Sequence, residues 1–315
     1  MVHPSLSDPT TDSPPPLKRA RHSDMDQHKP NGSQQHPQPN ALPALSLSIL
    51  GVEPLDEFIK EIADFVHHMI KTRRTDHPDE VGSFEVEAKI GVLKERGTGS
   101  RLQMPVLVET IMSPEFHDVR FESNMSSHQH KHFNGLLNNL TATSNQPSHP
   151  SSPLHHSHHF LKDSFYTSDR GKIRVTRDEK TDAVECIQKI RLGDLNIYSP
   201  KRSADWRVSV SVEVPCPRPI GTATLTRRKD RLSYSHEEFS IDLTQVTSTT
   251  SAAAAPQIFH ELEVEIARPD MLLSTAARRG DPNVPELERS AFDELIRAFV
   301  NNARILVRNS IDGWQ

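Results

Sequence analysis

The sequence predicts a β-rich α+β fold: an antiparallel barrel whose charged faces turn inward and whose apolar faces carry flanking helices. Three observations predict it. Phe84-Glu85-Val86-Glu87-Ala88-Lys89-Ile90 and His260-Glu261-Leu262-Glu263-Val264-Glu265-Ile266 both alternate charged or polar with apolar residues. From Phe160 to Ile266 the pattern keeps a period of two, as consecutive antiparallel strands do. Apolar residues at helical spacing bracket that region at both ends.

Along a strand, successive side chains point to opposite faces. Glu85, Glu87 and Lys89 therefore share one side of their strand, and Glu261, Glu263 and Glu265 one side of theirs. Neighbours on a face are about 6.5–7 Å apart, so the carboxylates repel one another. One such strand is an ordinary wet face of a sheet. Two offer a cluster of carboxylate oxygens, the ligand type that hard cations such as Mg²⁺ or Mn²⁺ favour.

Of 315 residues only 34% are hydrophobic and 24 are proline. Residues 1–46 read as a disordered tail, too poor in apolar surface to offset chain entropy. Within the tail, Pro16-Leu17-Lys18-Arg19-Ala20-Arg21 is a candidate nuclear import signal, and the expected location is the nucleus. Residues 47–315 form the expected folded domain. The net charge of −5 excludes a general basic attraction to nucleic acid. No apolar run approaches the roughly 18–20 residues of a membrane span. Cys186 and Cys216 lie far apart in sequence and form no Cys-x-x-Cys pair, which fits a reducing compartment without a disulfide framework.

In chain order, Leu55, Phe58, Ile59, Ile62, Val66, Met69 and Ile70 predict an amphipathic helix starting at Pro54. Gln129 to Leu140 predicts another, with Phe133, Leu136, Leu137 and Leu140 on one side. Residues 141–159, including His155, His156, His158 and His159, read as a solvated low-complexity loop. Strands follow. Lys172, Arg174 and Thr176 alternate with Ile173 and Val175, and Lys189 falls in the run Glu185 to Arg191. Trp206, Val208, Val210 and Val212 alternate with Arg207, Ser209, Ser211 and Glu213. Arg227, Lys229 and Arg231 share a face, and Asp242 and Thr244 oppose Ile241 and Leu243. Residues 247–257 read as a second low-complexity loop, and Leu287, Phe292, Leu295, Ile296, Phe299, Ala303 and Leu306 predict a closing helix.

The helices need an apolar surface, which the Val, Ile, Leu and Trp faces supply if they form the outside of the barrel. The lumen then receives Glu85, Glu87, Glu213, Asp242, Glu261, Glu263 and Glu265 against Lys89, Arg174, Lys189, Arg207, Arg227, Lys229 and Arg231. This near balance makes a charged interior tenable, because unpaired buried charge is costly. It would hold a metal and a polyanion together.

The ordered set of Glu-x-Glu-x-Lys, Gln129-His130-Lys131-His132-Phe133-Asn134, Arg227-Arg228-Lys229-Asp230-Arg231, Asp242-Leu243-Thr244 and His-Glu-Leu-Glu-Val-Glu-Ile resembles the triphosphate tunnel metalloenzymes. Within them it resembles the fungal RNA 5′-triphosphatases, the β subunits of mRNA-capping enzymes. The resemblance covers about residues 50 to 310 and implies a closed eight-stranded antiparallel barrel. It implies metal-dependent removal of the γ-phosphate from the 5′-triphosphate end of nascent mRNA, the first step of capping. Glu85, Glu87 and Glu265 would bind Mg²⁺ or Mn²⁺, while Glu213 and Glu263 orient the attacking water. Arg174, Lys229 and Arg231 would grip the terminal phosphate, with Lys189 and Arg227 supporting. Lys89, Arg207, Asp242, Thr244 and Glu261 would hold those side chains in place. The resemblance also implies a homodimer, recruited by the mRNA guanylyltransferase (the capping enzyme α subunit) or by the RNA polymerase II tail. Budding-yeast relatives carry a Trp-flanked docking peptide upstream, whereas the tryptophans here are Trp206 and Trp314. A tunnel phosphatase for inorganic triphosphate or nucleotides, and a non-catalytic scaffold with a wet charged face, are the alternatives.

Overall fold

The computed structural model describes residues 45–54, 56–168, 171–250 and 254–314. The tail segment with Lys18, Arg19 and Arg21 lies outside them. Residues 45–53 make turns but no helix or strand. Helix α1 (Glu57–Asp76) starts later than Pro54 because the Asp56 carboxylate caps it, accepting from the Ile59 N–H at 3.2 Å. One face of α1, carrying Ile59, Ile62, Ala63, Val66 and Ile70, is buried.

There follow β1 (Ser83–Glu95), β2 (Thr110–Ile111), β3 (Val119–Glu122), α2 (Ser127–Ser144), β4 (His155–Ser168), β5 (Gly171–Asp178), β6 (Val184–Tyr198), β7 (Asp205–Pro215), β8 (Leu225–His236), β9 (Phe239–Thr249), β10 (Gln257–Ile266), α3 (Pro269–Arg278) and α4 (Glu286–Arg308). Neighbours run β10-β9-β8-β4-β5-β6-β7-β1, and β1 pairs again with β10. This closes an eight-stranded barrel in which each pairing is antiparallel. Short β2 and β3 lie off the ring, on β6 and β1 respectively. Beside the β1–β3 pairing the backbones almost touch, since a Cβ on Gly91 would sit 2.3 Å from the Glu122 carbonyl oxygen.

The hydrophobic core lies outside the barrel. Phe84, Val86, Ala88 and Ile90 of β1, Val208, Val210 and Val212 of β7, and Leu262, Val264 and Ile266 of β10 are buried together with α1, α3 and α4. On α4 the buried stripe is Phe292, Leu295, Ile296, Phe299, Val300, Ala303, Leu306 and Val307, whereas Leu287 faces solvent. Trp206 is fully buried, and its indole N–H donates to Glu109 at 2.8 Å.

Several boundaries differ from the sequence reading. Residues 141–159 are not one loop: α2 runs on to Ser144, and all four histidines of 155–159 belong to β4. A capping box between Ser126 and Gln129 starts α2 earlier than expected. The second loop, 247–257, shrinks because β9 reaches Thr249 and β10 begins at Gln257. β6 carries a bulge between Arg191 and Gly193, and Met69 and Phe65 of α1 come within 3.0 and 3.2 Å of where a Cβ on Gly193 would stand.

Candidate active site

Register, not sequence proximity, assembles the site. Across the closing seam Glu87 faces Glu265 and Lys89 faces Glu263. On the other side of β1, Glu85 and Glu87 face Ser211 and Ser209 of β7, and Lys89 faces Arg207. These β7 serines are small, so the carboxylates gain room inside the tunnel. Glu213 faces Lys189 of β6, Arg231 faces Thr244, and Glu263 faces Asp242. Lys189, Lys89 and Arg231 link Glu85, Glu87, Glu263 and Asp242 into one chain of ion pairs, with Thr244 on Arg231. Arg174–Glu213 and Arg227–Glu261 form further pairs, Glu265 lies among the carboxylates of that chain, and Arg207 joins it through Asp194 and Arg191.

Within the network, Lys189 pairs with Glu85 and lies 3.6 Å from Glu87. Lys89 pairs with Glu263 and lies 3.6 Å from Glu87. Arg174 donates to Glu213 at 2.9 Å, and Arg227 to Glu261 at 2.7 Å. Arg231 holds Asp242 at 2.7 Å, donates to the Thr244 hydroxyl at 3.2 Å and reaches Glu263 at 4.0 Å. Ser233 and Ser240 also donate to Asp242, at 2.5 and 3.0 Å. Asp242 is thus a fixed anchor for the Arg231 guanidinium. Arg207 instead binds Asn196 at 2.8 Å and Asp194 at 3.4 Å, with its guanidinium against the ring of Phe121.

Burial and neighbouring charge sort these groups. Burial raises the Glu265 carboxyl, reinforced by Glu85, Asp242, Glu87 and Glu263, to about 8. It alone of the predicted tunnel acids has no cation within ion-pair distance among the described residues. Burial also raises Glu87, and Glu263 and Glu85 add to it against Lys89 and Lys189. Burial opposes charge on Glu263 too, but Lys89 and Arg231 hold it well below the usual carboxylate range. Lys229 is lowered by burial, with Arg231 and Arg174 adding to the effect.

The sequence reading missed three participants. Asp163 of β4, 1% exposed, takes Lys229 at 2.6 Å and accepts from Thr176 at 2.8 Å. Burial opposes its charge, yet Lys229, Thr176 and Arg174 keep it below the ordinary value. Arg191 reaches within 3.6 Å of Glu87 and donates to Asp194 at 2.6 Å. Asp163 had no readable signal, because Leu161 and Phe165, two residues to either side and on the same face, are apolar; Arg191 and Asp194 had none because the bulge breaks the alternation between them.

Glu85, Glu87 and Glu265 offer only hard oxygen donors, and Glu87 Oε1 is buried without a hydrogen-bond partner. Among the described residues no group of acids, histidines and cysteines is set as the ligands of a bound ion are. Lys189 occupies Glu85 instead. The surplus negative charge around Glu265 and the Glu87 oxygen that accepts no hydrogen bond fit a divalent cation.

Comparison with known proteins agrees with this geometry. The family described as "mRNA capping enzyme, beta chain" matches residues 52–311. The mRNA-capping enzyme subunit beta of Schizosaccharomyces pombe is 34% identical over 275 residues, covering 85% of this chain and 86% of that protein. The solved structure of S. pombe Pct1 RNA triphosphatase aligns with a TM-score of 0.75 at 33% identity, over 86% of this chain and all of that one. A second structure, of Pct1 with the Spt5 CTD, aligns with the same TM-score.

Proposed function

The chain belongs to the mRNA-capping enzyme β-chain family, and from that premise we propose how it hydrolyses the 5′-triphosphate end of RNA. The observation that carries the reading is the pairing of a cation wall, Arg174, Lys189, Arg227, Lys229 and Arg231, with the carboxylate corner of Glu85, Glu87 and Glu265. The chain of a triphosphate enters as the polyanion that the wall would otherwise lack. Arg174 and Arg231 offer forked donors to the γ-phosphate oxygens. Phosphate beside Lys229 would favour its charged form, against the burial and cationic neighbours that lower it.

Glu263, kept ionised by Lys89 and Arg231, and Glu213, held by Arg174, are the acceptors that orient water for in-line attack at the γ-phosphorus. The bond from the γ-phosphorus to the β–γ bridging oxygen breaks, leaving a 5′-diphosphate RNA end and free phosphate. Mg²⁺ or Mn²⁺ on Glu85, Glu87 and Glu265 would neutralise charge on the phosphate oxygens. It would take up the negative charge that Lys189 now balances at Glu85.

The Spt5 CTD complex of Pct1 supports a polymerase-associated route of recruitment, and the β-chain family supports a guanylyltransferase partner. The Lys18-Arg19-Ala20-Arg21 cluster supports action in the nucleus, and resemblance alone supports a homodimer.

The test is release of γ-labelled phosphate from triphosphate-ended RNA with Mg²⁺, with Mn²⁺ and with excess chelator, beside inorganic triphosphate at equal concentration. Metal-dependent release with RNA preferred supports the reading. Activity undiminished in chelator sinks the metal assignment, and preference for inorganic triphosphate moves the substrate to the small polyanion.

A further inference from the structure

The two cysteines of this 315-residue chain, thirty positions apart, are brought face to face. β6 and β7 pair Ile187 with Pro215. One step further along the same register, Cys216 N–H donates to the Cys186 carbonyl at 3.0 Å. Opposed residues in a hydrogen-bonded antiparallel pair hold their Cα atoms about 5.5 Å apart, inside the range of roughly 4.4–6.8 Å that a disulfide spans. Prolines at 215 and 217 flank Cys216. Pro217 confines it to extended backbone, so little chain freedom remains to carry its side chain away. Cys186 alternates with Ile187 and Lys189, which places it on the outer wall. Both thiols are free and half-exposed, and besides burial the nearby Cys186 raises the Cys216 thiol.

We propose that Cys186 and Cys216 are a site of reversible oxidation, a clasp that ties the ends of β6 and β7 at one mouth of the barrel. Its reaction partner is a low-molecular-weight disulfide of the glutathione class. One cysteine thiolate attacks a sulfur of oxidised glutathione, whose S–S bond breaks and releases one glutathione thiolate. The second cysteine thiolate then attacks the protein sulfur of this mixed disulfide and expels the other glutathione. The protein loses two electrons and two thiol protons, and one small disulfide becomes two thiols. The clasp closes beyond the Lys189–Glu213 pair on the same two strands, so it fixes the strand ends that carry those tunnel residues.

The experiment uses the full chain, equilibrated in oxidised and reduced glutathione at set ratios, quenched with acid and analysed by intact mass and peptide mapping. The wild-type protein is expected to lose two hydrogens, gain a peptide linking Cys186 to Cys216, and keep little mixed disulfide. Reduction by excess dithiol should restore both thiols. Cys186→Ser and Cys216→Ser, each with one thiol, should stop at the mixed disulfide, at least about tenfold more abundant than in wild type under the same ratio. Wild type that accumulates two mixed disulfides, or only links between chains, overturns the proposal. The readout needs no activity, so it stands apart from the assignment of the tunnel.

Discussion

Glu87 and Glu265 stand directly opposite each other across the seam where the barrel closes. Directly opposed like charges destabilise a strand pair, and burial makes this worse. A cation bound there would relieve both carboxylates at once. Glu265→Gln is therefore expected to lower turnover by about a hundredfold or more, the usual scale for a lost electrostatic group, while leaving the unfolding midpoint of the metal-free protein unchanged or raised. Val264, the neighbour in sequence, points outward and is fully buried. Val264→Ala should cost about 2 kcal/mol of stability with near-normal turnover per folded molecule. Steady-state kinetics and denaturant melts of the two variants check the pair; full activity in Glu265→Gln would mean that the strand's inward face is misassigned.

Asp163 keeps Lys229 charged inside the tunnel. Removing its charge with Asp163→Asn should lower the Lys229 pKa further and shift the alkaline limb of the rate profile to lower pH. At pH 7 a loss of at least about tenfold, one charge-assisted contact, is expected. A pH–rate profile unchanged from wild type would show that Lys229 does not need this anchor.

His130 of α2 and His260 of β10 lie in contact, ring centres 4.8 Å apart and planes tilted by 47°. Burial, with His260 adding and Asp230 opposing, lowers His130 to about 4, and burial lowers His260 as well. The unfolded chain takes up protons near pH 6.5, before the folded one does. Stability is then fully present above pH 6.5 and is lost as pH falls toward 4. The urea midpoint should drop between pH 7 and 5, and His130→Asn should flatten that slope. An equal drop in both proteins would remove His130 as the cause.

Glu109 lies away from the tunnel yet ties its own segment to β7 and α4. It accepts from Trp206 Nε1 at 2.8 Å and Arg304 Nε at 2.6 Å. Glu109→Gln should cost about 1–3 kcal/mol in denaturant melts and leave turnover per folded molecule unaltered.

The two Glu-rich strands were legible because alternation is strict there: Glu85 to Ile90 and Glu261 to Ile266 each divide cleanly between tunnel and core. The same logic placed Arg174, Lys229 and Arg231. It failed at β4, where four histidines disguised a strand as a polar loop, although His158 pairs with Asp230 at 2.5 Å and Asp163 points inward. It failed again in β6, since a bulge adds one residue and reverses the phase beyond Arg191. β2 and β3 were too short to show a period, and α3 too brief to separate from a turn. Arg207 alternated correctly but is held by Asn196 and Asp194 rather than by a tunnel glutamate, a choice of partner that periodicity does not encode.

The barrel shuts by joining its first strand to its last, and the Lys89–Glu263 contact spans 174 positions of chain. Two of the three carboxylates of the corner are thus synthesised with the first strand and the third with the last. While the ribosome is still making β9, Glu85 and Glu87 have no Glu265 to face, and no fragment ending before β10 can complete the pocket. Catalytic competence arrives late and all at once, after the most distant strands have found each other, a search whose loop-closure entropy must be met first. A chain that stops short of β10 has no Glu265 to face Glu87.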